Sequence, residues 1–371
     1  MTRPRSSATL LAAAFAGVIV YASLFPFAGW RVPSGGGWGW WRLPWPAWFP
    51  QFDITANLLG YLPLGALVYV AAVRTGRRAA TAFAAALVCA AALSYALEVL
   101  QQFLPARVPS SLDLLLNVAG ALAGALIGAL VHTLGGLERW QAWRDRWFVR
   151  HSAAAIALLL LWPLGLLFPT PVPLGMGQVW DEARGWALAA LAGTPWADVA
   201  HGVLALPAGA AGRPTPLVEA VAVALGLLAP CLIAYTVSPP GWRRLALALG
   251  AAVVAVGTMT LATALNFGPE NALAWWTPAA GPGLAAGLLV ALLCMAAGRR
   301  LVAGIALVAL TGLVAVVSMA PTDAYYAHSL QDWQQGRFIR FHGLAQWIGW
   351  AWPYAALAWL LTRLARRDEP A

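Results

Sequence analysis

The sequence predicts an all-α, polytopic transmembrane helical bundle of about ten helices, with both termini cytoplasmic. Three observations carry this expectation. The chain is 61% hydrophobic and only 10% charged, with a mean hydropathy of +0.71, whereas a soluble domain carries about 25% charge. Its apolar runs reach the roughly 20 residues that cross a bilayer. Its basic residues are all arginine and fall in short clusters between those runs, the pattern that sets membrane topology. The net charge of +9 is therefore read as a topology signal. No continuous basic face is available for releasing counterions from nucleic acid, so nucleic-acid binding is excluded.

The runs begin near Ala8, Ile54, Ala79, Leu112, Ser152, Leu217, Leu245, Pro282, Leu301 and Gly343. The first follows the basic stretch MTRPR, as the core of a signal peptide would. Its apolar stretch, Ala8 to Phe27, exceeds the roughly 7–15 residues of such a core, so a retained helix is expected. With the N-terminus inside, Arg74, Arg77 and Arg78, then Arg139, Arg144, Arg146 and Arg150, then Arg243 and Arg244 lie in cytoplasmic turns. Arg299, Arg300, Arg363, Arg366 and Arg367 continue that series. The outer side is left with scattered arginines such as Arg31, Arg42, Arg107 and Arg184.

Three outer loops are long. The first, GWRVPSGGGWGWWRLPWPAWFPQ, mixes Gly, Pro and Trp and is expected to lie along the membrane interface. Its tryptophans also suit stacking on sugar rings. The second runs from about Pro169 to Pro216, and the third from about Pro321 to His342. The third carries His328, Asp332, Arg337, Arg340 and His342, whose spacing is not that of a zinc site; an interfacial amphipathic helix is expected. Cys89, Cys231 and Cys294 each sit in an apolar run without metal-ligand spacing and read as packing residues. No metal or cofactor is expected.

The chain also resembles itself. NLLGYLPLGALVYV, AVALGLLAPCLIAYTV and AQWIGWAWPYAALAWL each place a Gly shortly before a Pro, and the turns RTGRR and PPGWRR match. A plan of four helices, four helices and two follows, with boundaries 8–135, 152–300 and 301–365. Glu219 then stands near the position of Asp53, and the second copy is expected to be a scaffold that has lost its polar site.

The polar groups concentrate in the first copy, around EVLQQFLPARVPSSLDLLLN. Ser94, Glu98, Gln101 and Gln102 form a stripe at the end of the third run. Asp113 and Asn117, and likewise Asp53 and Asn57, are four apart and share a helix face. Gly120, Gly124 and Gly128 continue the face of Asn117, a spacing that lets helix backbones approach closely. All these ends lie on one side of the membrane, so Asp53, Glu98 and Asp113 are expected around one outward-facing pocket with Arg107 folded over it. A structural account exists: Ser111, Asp113 and Asp53 suit helix N-termini, and Arg107 suits a carboxylate partner. Ionisable groups at membrane depth cost at least about 2.5–3.5 kcal/mol each on insertion scales and usually mark function. Glu98, at a helix C-terminal end where the dipole opposes an acid, is the group that capping explains least.

The pattern Asp53-x3-Asn57, Pro63, Gly65, Glu98-x2-Gln101, Pro105-x-Arg107, Ser111-x-Asp113-x3-Asn117-x2-Gly120-x3-Gly124 resembles the VanZ-like family of bacterial membrane proteins over about residues 8–135. That resemblance implies a multi-pass protein of the bacterial inner (plasma) membrane. The founding member of the family is associated with resistance to the glycopeptide teicoplanin, which acts at cell-wall precursors on the outer face. Three functions fit the residues. In the first, the pocket recognises or moves a lipid or a lipid-linked cell-wall or polysaccharide precursor, with Asp53, Asn57, Gln101 and Asn117 binding its polar groups and Arg107 its phosphate. In the second, Glu98 and Asp113 are the catalytic acid–base pair of a membrane enzyme. In the third, the cluster is a folding network of an assembly protein.

Overall fold

The computed structural model describes residues 7–25, 27, 29–32, 39, 41–48, 51–105, 107–149, 152–204, 214–319 and 339–365. Among the described residues the fold is all-α, with thirteen α-helices and no strand. A helix stands at each of the ten places where an apolar run begins. Six helices are long and apolar enough to cross a membrane: α2 (Gln51–Arg74), α3 (Ala79–Gln101), α4 (Ser111–Thr133), α9 (Pro216–Thr236), α10 (Trp242–Phe267) and α12 (Arg299–Met319). Three others, α1 (Ser7–Leu24), α6 (Ala153–Leu166) and α11 (Ala280–Leu293), are apolar but shorter. At 1.5 Å per residue the 14 residues of α6 or α11 span about 21 Å, against about 30 Å of hydrocarbon. The last run holds α13 (Ile339–Ala365). Three helices stand where none was expected: α5 (Gly136–Trp147), a polar helix with no buried residue, and α7 (Val179–Leu191) and α8 (Ala197–Leu204), which occupy the second long loop. The third long loop, with His328, Asp332 and Arg337, lies outside the described residues, as do the side chains of Arg340 and His342.

The chain divides into two compact units, Met1–Trp143 and Arg144–Ala371. In the first, α2 and α4 run parallel in close contact. A Cβ at Gly120 would overlap the carbonyl of Leu58, and one at Gly124 the carbonyl of Leu62; a Cβ at Gly65 of α2 would overlap Ala121 of α4. With no side chain between the backbones, dispersion contacts draw the pair together where the apolar effect offers nothing inside lipid. Ala82, Ala86 and Ala90 of α3, and Ala121 and Ala125 of α4, are fully buried, so this unit is packed through small residues.

The second unit is built around α9, whose residues from Gly226 to Thr236 are all buried, as a helix apolar on every side should be. α11, α12, α10 and α6 pack on it, and α13 packs on α6 and α12. α9 and α11 repeat the parallel joint: a Cβ at Gly283 would lie 2.6 Å from the Ala220 carbonyl oxygen, and one at Gly287 2.5 Å from that of Ala224. Trp352 on α13 donates its indole N–H to Leu158 O of α6 at 2.7 Å, and Gly165 and Gly349 let those two helices touch.

Candidate functional site

The end of the first unit that carries the acids is assembled from four helix termini. Ser110 adopts an extended conformation (φ −147°, ψ 133°) and its hydroxyl accepts from the backbone N–H groups of Leu112 and Asp113. Ser110, not Ser111, is therefore the N-cap of α4. Its own backbone N–H donates to Glu98 Oε2 at 2.8 Å. A capping-box glutamate normally reaches back from the third residue of the same helix to perform this task; here it comes from the end of α3. The helix that Glu98 serves is α4, whose N-terminal dipole favours an anion, so its place at the α3 terminus has a structural reason that sequence spacing did not reveal. Glu98 is only 4% exposed.

Asp113, in the first turn of α4, lies within electrostatic reach of Glu98. One turn on, Asn117 Nδ2 donates to Ser94 Oγ of α3 at 2.9 Å. Both residues are buried, and among the described residues Asn117 Oδ1 has no hydrogen-bond partner. Tyr61 of α2, also buried, stands near Ser94 and Glu98. Asp53 and Asn57 continue the four-residue stripe of Tyr61 toward the start of α2. The Leu58–Gly120 register sets them at the depth of Asp113 and Asn117. They are half-buried and take no part in the bonds just described.

Gln101 and Arg107 reach the end of α1. Gln101 Nε2 donates to Ser23 O at 3.1 Å. Arg107 Nη2 donates to Ala22 O at 3.1 Å and Phe25 O at 2.6 Å. Both tie the last carbonyls of α1, which lack intrahelical donors and favour a cation. These bonds hold α1 to the α3–α4 connection. Gln102 Nε2 donates to Arg42 O at 3.1 Å, Tyr95 Oη to Trp41 O at 2.8 Å, and the backbone N–H and hydroxyl of Ser111 to Pro44 O at 3.0 and 3.1 Å. The Trp-rich loop is thereby fastened across the ends of α3 and α4, with Trp41, Trp45 and Trp48 exposed. Sequence reading placed Gln102 in the polar stripe; Tyr95 and Ser111 as loop anchors went unnoticed, because hydrogen bonds to main-chain oxygens leave no residue-type signal in the partner.

If Ser110 caps α4 as described, Ser110→Ala should lower stability by about 1 kcal/mol, the usual loss for an N-cap, read as a reduced melting temperature in detergent. Ser111→Ala should leave α4 unchanged and loosen only the loop, seen as faster proteolysis between Gly39 and Trp48.

This arrangement defines a multi-pass helical membrane protein with a buried polar cluster at one end of its first bundle. The family model VanZ/LLP1 matches residues 5–132, about a third of the chain, and assigns that segment to a VanZ-like family. No curated protein and no solved structure matches the chain.

Proposed function

We propose that the N-terminal unit recognises the headgroup of a lipid or lipid-linked glycan of the bacterial cell envelope, from an outward-facing site in the inner membrane. The observation that carries this reading is the unpartnered, buried carbonyl oxygen of Asn117 beside Ser94, Glu98 and Asp113. A buried acceptor left without a donor costs about 1–3 kcal/mol, and a ligand hydroxyl or amine would supply that donor. Asp53, Asn57 and Asp113 offer further acceptors at the same depth. Gln101 and Arg107 serve as positioning residues that hold α1 against the site. The exposed tryptophans of the loop fit the interfacial belt or a sugar face. The ligand's recognised groups are then hydrogen-bond donors, in contrast to the phosphate expected for Arg107 from the sequence.

One observation favours a second reading, a folding network: Glu98 already has a structural task on Ser110. The acid–base enzyme reading uses the same two neighbouring carboxylates, Glu98 and Asp113. Glu98→Gln separates these readings, because the amide oxygen still accepts from Ser110 while the charge is gone. The expected result is normal abundance and melting temperature, with loss of the lipid or glycan that co-purifies with the native protein. Retention of that species in equal amount sinks the recognition reading, and a melting temperature lowered in Glu98→Ala, which strands the Ser110 N–H, with the ligand retained in Glu98→Gln establishes the folding network. Turnover of the co-purified species by the native protein, abolished in Glu98→Gln, would instead establish the enzyme.

A further inference from the structure

The C-terminal unit contains a cavity of about 650 Å³ where α6 ends, α9 begins, α10 ends and α11 begins. Its volume lies within the roughly 300–1,000 Å³ of small-molecule sites. Phe168, Met259, Ala262 and Trp275 are among the residues that form its apolar wall. Trp275 is held in place by its indole N–H, which donates to Thr260 Oγ1 at 3.1 Å. The polar lining is sparse. Among the described lining residues Glu219 is the only charged one, and no Arg, Lys or His is present. Glu219 sits in the first turn of α9, half-buried, and one carboxylate oxygen accepts from the Thr277 hydroxyl. Thr277 in turn accepts from the N–H of Ala280 at 3.2 Å as α11 begins. The carboxylate is thus held in position at the cavity wall by Thr277.

We propose that this cavity is a second binding site, for a cationic amphiphile: a hydrocarbon chain that lies on the apolar wall and ends in a primary ammonium reaching Glu219. The sign of the one charged group among the described lining residues selects the head. An ammonium both donates to the carboxylate and neutralises it. A phosphate would face an acid with no cation among the described lining residues to offset the repulsion, which costs more as water is excluded. The site is contained within one unit and does not depend on the reading of the N-terminal cluster. The second unit is on this view a binding element in its own right, not the scaffold its sequence suggests.

The test uses the full-length protein in a neutral detergent with three photoreactive diazirine probes of equal chain length, ending in a primary ammonium, a phosphate or a glucoside. Cross-links are mapped by peptide mass spectrometry to residues 214–219 and 259–278. The ammonium probe should label these segments roughly tenfold more than the phosphate probe, with the glucoside below the ammonium. Glu219→Gln should bring ammonium labelling down to the phosphate level, and Ala262→Phe, which fills the cavity, should suppress all three. Equal labelling by ammonium and phosphate, or by ammonium and glucoside, overturns the proposal, as does full ammonium labelling of Glu219→Gln. If a variant fails to elute as a single species from size exclusion, the ammonium-to-phosphate ratio of the native protein decides by itself.

Discussion

Arg244→Ala should be the most damaging single substitution in the C-terminal unit, leaving a protein that aggregates or elutes broadly on size exclusion in detergent. Arg244 lies in the first turn of α10 and is 0% exposed. Its Nη1 donates to Met295 O at 3.0 Å and Ala297 O at 2.7 Å; its Nη2 donates to Tyr235 O at 2.9 Å and Ser238 O at 3.2 Å. The guanidinium also stacks near the ring of Tyr235, 5.2 Å from its centroid. One side chain therefore gathers the C-terminal carbonyls of α9 and of the segment that closes α11. Alanine strands four acceptors, each costing about 1–3 kcal/mol where water does not reach it, and opens a large void. The total is a sizeable part of the roughly 5–15 kcal/mol that holds a domain together. Arg244→Lys should recover only part of the loss, because an ammonium cannot span four oxygens in a plane as the fork does. Arg243→Ala, one residue away, provides the comparison and should be nearly silent. Equal melting temperatures for the two alanine variants would refute the assignment.

In the N-terminal unit the corresponding weak point is Gly124→Ala. The added Cβ would overlap the carbonyl of Leu62 and lie 3.0 Å from the backbone nitrogen of Ala66. Both neighbours are main chain, so no rotamer change relieves the overlap and α2 must move off α4. Overpacking usually costs about 1–3 kcal/mol and occasionally more; a clash against backbone belongs at or above the top of that range. Gly60→Ala on α2 is the control. Nothing lies within 4 Å of its Cβ, so replacing a helical glycine there should be neutral or stabilising by up to about 1 kcal/mol. Melting temperatures of the two variants in detergent check this, and equal values would refute the seam.

The membrane class, the places of the apolar helices and the glycine seam of α4 were readable from hydropathy and residue spacing, because each depends on periodicity along one segment; α5, α7 and α8, which lie outside the apolar runs, were not. The pairing of Glu98 with the start of α4 was partly readable: the cluster was visible, yet its purpose was not, since Ser110 offers only a backbone N–H. The bonds of Arg107 and Gln101 to α1 were not legible for the same reason. A main-chain carbonyl at Ala22 or Phe25 has no identity in sequence, so a side chain aimed at it looks unemployed. Arg244 read as one member of a topology cluster because charge counting treats it like Arg243. Only the packing of α10 distinguishes a residue 0% exposed from its half-buried neighbour. The cavity beside Glu219 was hidden because its wall is drawn from four separate helix ends and a proline-rich connection.

The tryptophan-bearing loop is moored by Tyr95, Gln102 and Ser111 at the oxygens of residues 41, 42 and 44. Every amino acid possesses that atom. The mooring is consequently indifferent to which side chains the loop displays, and selection is at liberty to rewrite the exposed face without unseating it. Such a segment behaves as an exchangeable faceplate on a fixed mount, where descendants of this protein would be expected to diverge first when their surroundings change.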